Sequence, residues 1–276
     1  MRVLLAGDVV GRPGRDAVRA ILPGLREELG LDLVVVNAEN AAAGRGLTVR
    51  LANELFQAGV DVLTSGNHIF NVREFVPALD GPLPILRPAN YPAGVPGRGV
   101  LEVGGATPVT IVNLMGRTFM PVAVDDPFAA VDTILEGIAP GSVVLVDFHA
   151  EATSEKQALG WYLDGRVSVV VGTHTHVPTA DQRVLPQGTA YVSDLGMCGA
   201  LDSVIGDDVT SVITRFTTSM PTRLPPAEVP PGAEVMINAV VVDIDETTGR
   251  AWSIERVDRR CRLDEAGGDL EGGGGA

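Results

Sequence analysis

The segment Val167-Ser168-Val169-Val170-Val171-Gly172-Thr173-His174-Thr175-His176 is an apolar, β-branched run that breaks at a glycine and ends in two histidines one residue apart. Such a run reads as a strand buried on both faces, as in a parallel sheet covered by helices. Residues two apart in extended backbone project to the same side, so His174 and His176 are expected to aim both imidazoles at one small volume. The chain holds only four histidines, and the other two, His68 and His149, also stand just after apolar β-branched runs.

Outward from that segment the same rhythm recurs. Residues 3–6, 33–36, 60–63, 100–103, 109–112, 143–146 and 189–192 read as strands, and helical patterns occupy 14–29, 48–58, 72–79, 127–138, 154–163 and 207–217. Pro13 is an opening signal for the first helix. Gly11-Arg12-Pro13-Gly14 is read as an ordinary loop and helix start, although a helix N-terminus suits a phosphate. Proline and glycine crowd 81–99, which reads as a surface connection carrying one short strand at 85–86. Alternation at 234–245 and 251–257, joined by Glu246-Thr247-Thr248-Gly249, predicts a terminal antiparallel hairpin. Residues 265–276 are Gly-rich and acidic, so disorder is the expectation there, and 1–264 read as a single domain without internal repeats.

Composition narrows the function. With 21 Lys and Arg against 35 Asp and Glu, the net charge of −14 argues against a groove for long nucleic acid. Cys198 and Cys261 are the only cysteines and form no C-x-x-C pattern, so neither a disulfide framework nor a thiolate metal site is suggested. No run approaches the roughly 20 apolar residues of a membrane span, and Met1-Arg2 leads directly into a strand. The expectation is a cytoplasmic protein with no membrane association.

Ligand sites in parallel sheets lie beyond the carboxyl ends of the strands. Five runs deliver polar residues there: Asp8; Glu39 with Asn40; Asn67 with His68; His149; and His174 with His176. Carboxylate, amide and imidazole without thiolate make a mixed oxygen and nitrogen site suited to transition metals. Eight such residues exceed the needs of one ion, and a pair of divalent ions about 3.5–4 Å apart is a standard device for phosphoester hydrolysis. Two carboxylates and one bridging hydroxide would leave two divalent ions with about +1 of charge, enough to attract a phosphate to an acidic protein.

The segments Gly7-Asp8-Val9-Val10-Gly11, Asn37-Ala38-Glu39-Asn40, Ser65-Gly66-Asn67-His68, Asn113-Leu114-Met115-Gly116-Arg117, His149-Ala150-Glu151-Ala152-Thr153-Ser154-Glu155-Lys156 and Gly172-Thr173-His174-Thr175-His176, taken in order, resemble the calcineurin-like metallophosphoesterases. More narrowly they resemble the YmdB-like family of bacterial cyclic-nucleotide phosphodiesterases. The resemblance implies an α/β fold, a four-layer α-β-β-α sandwich of two mixed sheets. It implies that Asp8, Glu39, Asn40 and His176 hold a first metal, and that Glu39, Asn67, His149 and His174 hold a second. Glu39 is then the bridge, a bridging hydroxide the nucleophile, and His68 the general acid for a ribose leaving group. Iron or manganese is favoured as the metal, with zinc, nickel and magnesium left open. Arg117 is a candidate substrate contact, while Lys156 reads as an exposed helix residue.

The wider superfamily has a histidine where Val10 stands, an aspartate where Glu39 stands, and an acidic residue where Ile69 follows Asn67-His68. Whatever orients His68 must therefore come from elsewhere in the fold. The expected activity is hydrolysis of cyclic nucleotides, 2′,3′-cyclic ones in particular, with a small phosphoester as partner and a homo-oligomer left open. The alternative is a metal-binding regulatory protein acting through a partner. A protein phosphatase is disfavoured because Ala41-Ala42-Ala43 stands where an arginine would follow the second motif.

Overall fold

Alternation within the strand Arg2–Ala6 divides the molecule into layers. Leu4 and Ala6 join Val34 and Val36 of the neighbouring strand Leu33–Asn37, and together they pack on Ala17, Val18 and Leu22 of helix Gly11–Leu29 and on Leu51 and Leu55 of helix Val49–Gln57. Val3, Leu5, Leu33 and Val35 face the other way, against Ile111, Leu145, Val169 and Val171 of a second sheet. On the far side of that sheet, Val112, Val144, Val146 and Val170 close on Val131 of helix Pro127–Leu135 and Leu159 of helix Thr153–Tyr162. Each fully buried Val or Leu in these clusters contributes about 1.5–3 kcal/mol of transfer free energy.

The computed structural model describes residues 1–105 and 107–263. The first sheet runs, in spatial order, Arg250–Arg256, Ala239–Asp245, Arg2–Ala6, Leu33–Asn37 and Val62–Thr64. The second runs Val100–Val103, Val109–Met115, Val143–His149, Val169–Thr173, Ala190–Val192 and Arg183–Val184. Both are mixed: the first is parallel from Arg2–Ala6 to its Val62–Thr64 edge and antiparallel on the other side, and the second has a parallel centre between two antiparallel edges.

The expectation of two sheets omits a third, which runs Arg259–Arg262, Glu234–Ile237, Met197–Ala200 and Asp8–Val9. Two of its strands continue strands of the first sheet. Gly7 separates Arg2–Ala6 from Asp8–Val9, and Asn238 separates Glu234–Ile237 from Ala239–Asp245. The two changes of sheet occur at one place, where the Gly7 amide donates to the Asn238 carbonyl at 3.0 Å. A Cβ on Gly7 would stand 2.0 Å from the Gly196 carbonyl oxygen, so the crossing needs a residue without a side chain. The predicted single strand over 234–245 is thus two strands in different sheets, while the hairpin itself is present, with Asp245 paired to Arg250.

Other boundaries differ by a few residues. The first helix begins at Gly11, whose positive φ of 59° no bulkier residue adopts readily, and the Gly11 amide donates to the Asn40 carbonyl. Thr48 and Ala58, predicted inside the second helix, are its caps, and the Thr48 side chain accepts the Leu51 amide. The segment Arg73–Asp80 is a 3-10 helix. The short strand at 85–86 exists as isolated bridges from Ile85 to Leu63 and from Leu86 to Arg98. The predicted tail at 265–276 lies outside the described residues. Among the described residues no helix is long and apolar enough to cross a membrane.

Candidate metal centre

The strand Val143–His149 ends on a fully buried imidazole that is the centre of the site. His149 Nε2 lies 3.0 Å from Asn67 Oδ1, 3.1 Å from Glu39 Oε1 and 3.1 Å from His174 Nδ1. These four atoms come from four separate strand ends. Glu39, His149 and His174 each offer an atom within 4.8 Å of the others.

The partners on the outer sides of the rings decide where the protons sit. Thr173 Oγ1 donates to Asp147 Oδ1 at 2.8 Å, so it accepts from His149 Nδ1 at 2.9 Å. His174 Nε2 is 3.0 Å from Glu151 Oε2 and donates to that carboxylate. Each ring is left with a lone pair on the nitrogen that faces the other three atoms. Burial pushes the His149 pKa down to about 4, and burial reinforced by His149 pushes His174 down to about 3, so both are neutral at neutral pH. Four lone-pair donors at hydrogen-bond distance with no hydrogen between them are a donor set that fits a cation.

A second group adjoins the first. Asp8 is fully buried between the end of Arg2–Ala6 and the loop after Thr173. Its Oδ2 accepts the His174 amide at 3.0 Å, while Oδ1 lies 3.9 Å from His176 Nε2 and 3.8 Å from His149 Nδ1 and accepts no hydrogen bond. Asn40 Oδ1 is likewise buried without a partner, although its Nδ2 donates to the Gly44 carbonyl at 2.9 Å. His176 Nδ1 donates to the Ile205 carbonyl at 2.7 Å, which leaves Nε2 free to coordinate. Two orphaned buried acceptors and a free imidazole nitrogen fit a second ion, with Glu39 between the groups. Burial raises the pKa of both Asp8 and Glu39, a cost that an adjacent cation would offset.

His174 and His176 converge by a different route from the one predicted. The strand stops at Thr173, and His174 and His176 adopt positive φ angles of 97° and 64°. Left-handed backbone at non-glycine residues costs about 1–3 kcal/mol each and persists only where the surroundings hold it. Asp8 holds the His174 amide, and Asp194 Oδ2 takes both the amide and the hydroxyl of Thr175, at 3.2 and 2.7 Å. Asp194 is itself paired at 2.6 Å with Lys156. Lys156 is therefore not the exposed helix residue expected: it is buried beneath the turn that carries both histidines.

His68 is tied to the centre by its amide, which donates to Glu39 Oε2 at 3.0 Å. The residue that orients its ring is Asn71, whose amide nitrogen stands 3.2 Å from His68 Nδ1. Asn71 follows at i+3 in the turn beyond the motif, a spacing visible in the sequence. An amide side chain offers both a donor and an acceptor, so it pairs with Nδ1 in either protonation state. Burial lowers the His68 pKa, and Glu39 opposes that shift.

A cavity of about 290 Å³ opens over the site, lined by Glu39, Asn40, His68, His174 and His176 together with Arg45, Glu151, Ile205 and Asp207. Arg117 does not line it. Its amide donates to Glu155, and its guanidinium lies 3.7 Å from Asp126. The arginine in the cavity is Arg45, six residues after Glu39 on a glycine-rich loop that no strand-end pattern singles out.

The chain is similar in sequence and fold to known proteins. The family described as YmdB-like protein matches residues 4–257. A protein of Bacillus subtilis (strain 168) named 2′,3′-cyclic-nucleotide 2′-phosphodiesterase is 46% identical over 259 residues, covering 93% of this chain and 96% of that protein. A crystal structure of a novel phosphatase from Mycoplasma pneumoniae has a TM-score of 0.88 at 32% identity, covering 96% of this chain and 95% of that one. A hypothetical protein from Thermus thermophilus has a TM-score of 0.87 at 42% identity, covering 94% of this chain and 99% of that one. By sequence match along nearly its whole described length, this chain belongs to the YmdB-like protein family.

Proposed function

We propose that this chain is a metal-dependent phosphodiesterase that opens cyclic nucleotides, 2′,3′-cyclic ones in particular. The observation that carries the reading is the set of four lone-pair atoms around His149 Nε2, from Asn67, Glu39, His174 and His149 itself. The name of the Bacillus subtilis relative supplies the substrate class. Asn67, His149 and His174 with Glu39 would hold one ion, and Asp8, Asn40 and His176 with Glu39 the other. Iron or manganese suits a set of imidazole, amide and carboxylate without thiolate. Such ions, when bound, supply Lewis acidity at the phosphoryl oxygens and a water acidic enough to attack phosphorus at neutral pH.

The protein's own contribution is positioning and a proton. Thr173 and Glu151 fix the tautomers of His149 and His174, and Ile205 fixes His176, so that each ring presents a lone pair inward. As the ribose oxygen leaves phosphorus it becomes a strongly basic alkoxide, and His68 at the cavity wall gives it a proton from Nε2 while Asn71 steadies Nδ1. An anionic substrate beside His68 favours the imidazolium that does this. The same reading takes residues 1–264 as one domain in a four-layer sandwich, supported by the helix-on-sheet, sheet-on-sheet and sheet-on-helix cores.

The test is metal-stripped protein reloaded with manganese or iron and offered 2′,3′-cyclic nucleotides. Turnover is expected, and His68→Ala should lower kcat by about 10²–10⁴ with metal content unchanged. Undiminished turnover by that variant would remove His68 as the acid, and no turnover by the loaded wild type would end the reading.

A further inference from the structure

Two charged side chains in the cavity take no part in the metal groups. Arg45 and Asp207 both line it, and neither has a hydrogen-bond or ion-pair partner for its side chain among the described residues. Both are presented by backbone that is firmly held. The Gly44 amide donates to the Asn40 carbonyl, that of Arg45 to Ala42, and that of Gly46 to Glu39, so the Arg45 loop is strapped to the segment bearing two candidate ligands. Asp207 pairs through its backbone with Val204 on one side and Pro226 on the other. It stands two residues after Ile205, whose carbonyl orients His176. Arg45 and Asp207 line one and the same cavity, so the two side chains border one space.

We propose that Arg45 and Asp207 form a base-reading subsite that selects guanine, a specificity that rests on the phosphodiesterase reading and goes beyond it. A guanidinium only donates and a carboxylate only accepts, so a ligand that satisfies both must present acceptors and donors side by side. Once the phosphate sits at the metal groups, the part of a cyclic nucleotide left to meet these residues is the base. Guanine presents O6 and N7 as a pair of acceptors that suits an arginine fork. Its adjacent N1–H and exocyclic amino group form a pair of parallel donors that suits a carboxylate. Adenine, cytosine and uracil each offer the carboxylate donors on one ring position only.

The experiment measures kcat/KM of the metal-loaded full chain for the 2′,3′-cyclic phosphates of guanosine, inosine, adenosine, cytidine and uridine, with bis(p-nitrophenyl) phosphate as a diester that has no base. Guanosine is expected to lead adenosine, cytidine and uridine by about tenfold, the discrimination of one good bidentate pair. Inosine, which lacks the exocyclic amine, should fall between. Asp207→Asn should bring guanosine and inosine within about twofold of each other through a rise in KM for guanosine, and Arg45→Gln should shrink the lead of guanosine over uridine. Wild-type turnover of the generic diester with equal values for the five nucleotides would overturn the subsite alone, as would a guanosine preference that survives Asp207→Asn. Absence of turnover on every diester would overturn the phosphodiesterase reading and the subsite with it.

Discussion

Gly66 lies flat against the His149 ring, so close that a Cβ built on it would stand 2.1 Å from Cδ2 and 2.2 Å from Nε2. The strand Val62–Thr64 therefore delivers Asn67 and His68 past the central imidazole only if the residue before them has no side chain. A buried ring at 0% exposure has nowhere to retreat. Gly66→Ala should displace His149 and lower activity by about 10²-fold, as misplacement of about 1 Å does. Metal content, measured by elemental analysis, should fall with it, while far-UV circular dichroism stays that of the wild type. Retention of full metal content would show that the ring tolerates the methyl group.

The ion pair between Lys156 and Asp194 is almost wholly buried, with side chains 3% and 1% exposed. Removing one partner of such a pair strands the other and costs about 3–5 kcal/mol. Lys156→Met is expected to destabilise the chain by that amount in urea unfolding, and Asp194→Asn to add much less to it than it costs alone. Additive losses would indicate that the two residues act independently.

Metal removal should also register as lost stability. Asp8 and Glu39 are buried carboxylates with raised pKa values, and Asp8 Oδ1 and Asn40 Oδ1 lack partners. A cation that binds the folded chain alone stabilises it by about 2.7 kcal/mol at a hundredfold excess over Kd. A chelator should lower Tm and manganese should restore it, followed by calorimetry. An unchanged Tm would argue that the acceptors are satisfied in some other way.

Far from the centre, Arg2 grips Asp243 with two hydrogen bonds of 2.8 and 3.0 Å, and Ser253 adds a third at 2.9 Å. The guanidinium foremost holds this carboxyl below its ordinary value of 3.8. A depressed folded-state pKa contributes stability that is fully present above the unfolded value and lost as pH falls through the folded one. The Tm gap between wild type and Asp243→Asn should be steady near neutral pH and close as the pH drops below about 4. A gap that persists to about pH 2 would mean that the pair's charge contributes nothing.

The sequence made the strand ends legible because long Val and Leu runs break at polar residues, as at Glu39, His68 and His149. The residues that set tautomers were harder to see. Thr173 and Glu151 lie within the motifs and Asn71 just beyond one, but nothing in their spacing tells which way a proton points. Asp194 and Lys156 are 38 residues apart and meet only when helix Thr153–Tyr162 packs beneath the histidine turn. The third sheet escaped because its strands are two to four residues long, too short for any period to show. Arg117 followed a motif, whereas Arg45 followed a loop whose path depends on the positive φ angles of Ala43, Gly44 and Gly46.

The crossing at Gly7 and Asn238 ties foldedness to competence. Asp8 is the residue immediately beyond it, so any fluctuation that peels the third sheet away must carry off a carboxylate from the heart of the molecule. Amide protons at 7, 8 and 238 would then exchange with deuterium only through opening events that also dismantle the candidate site. For this architecture, partial unfolding and the loss of the candidate metal site would be one and the same event.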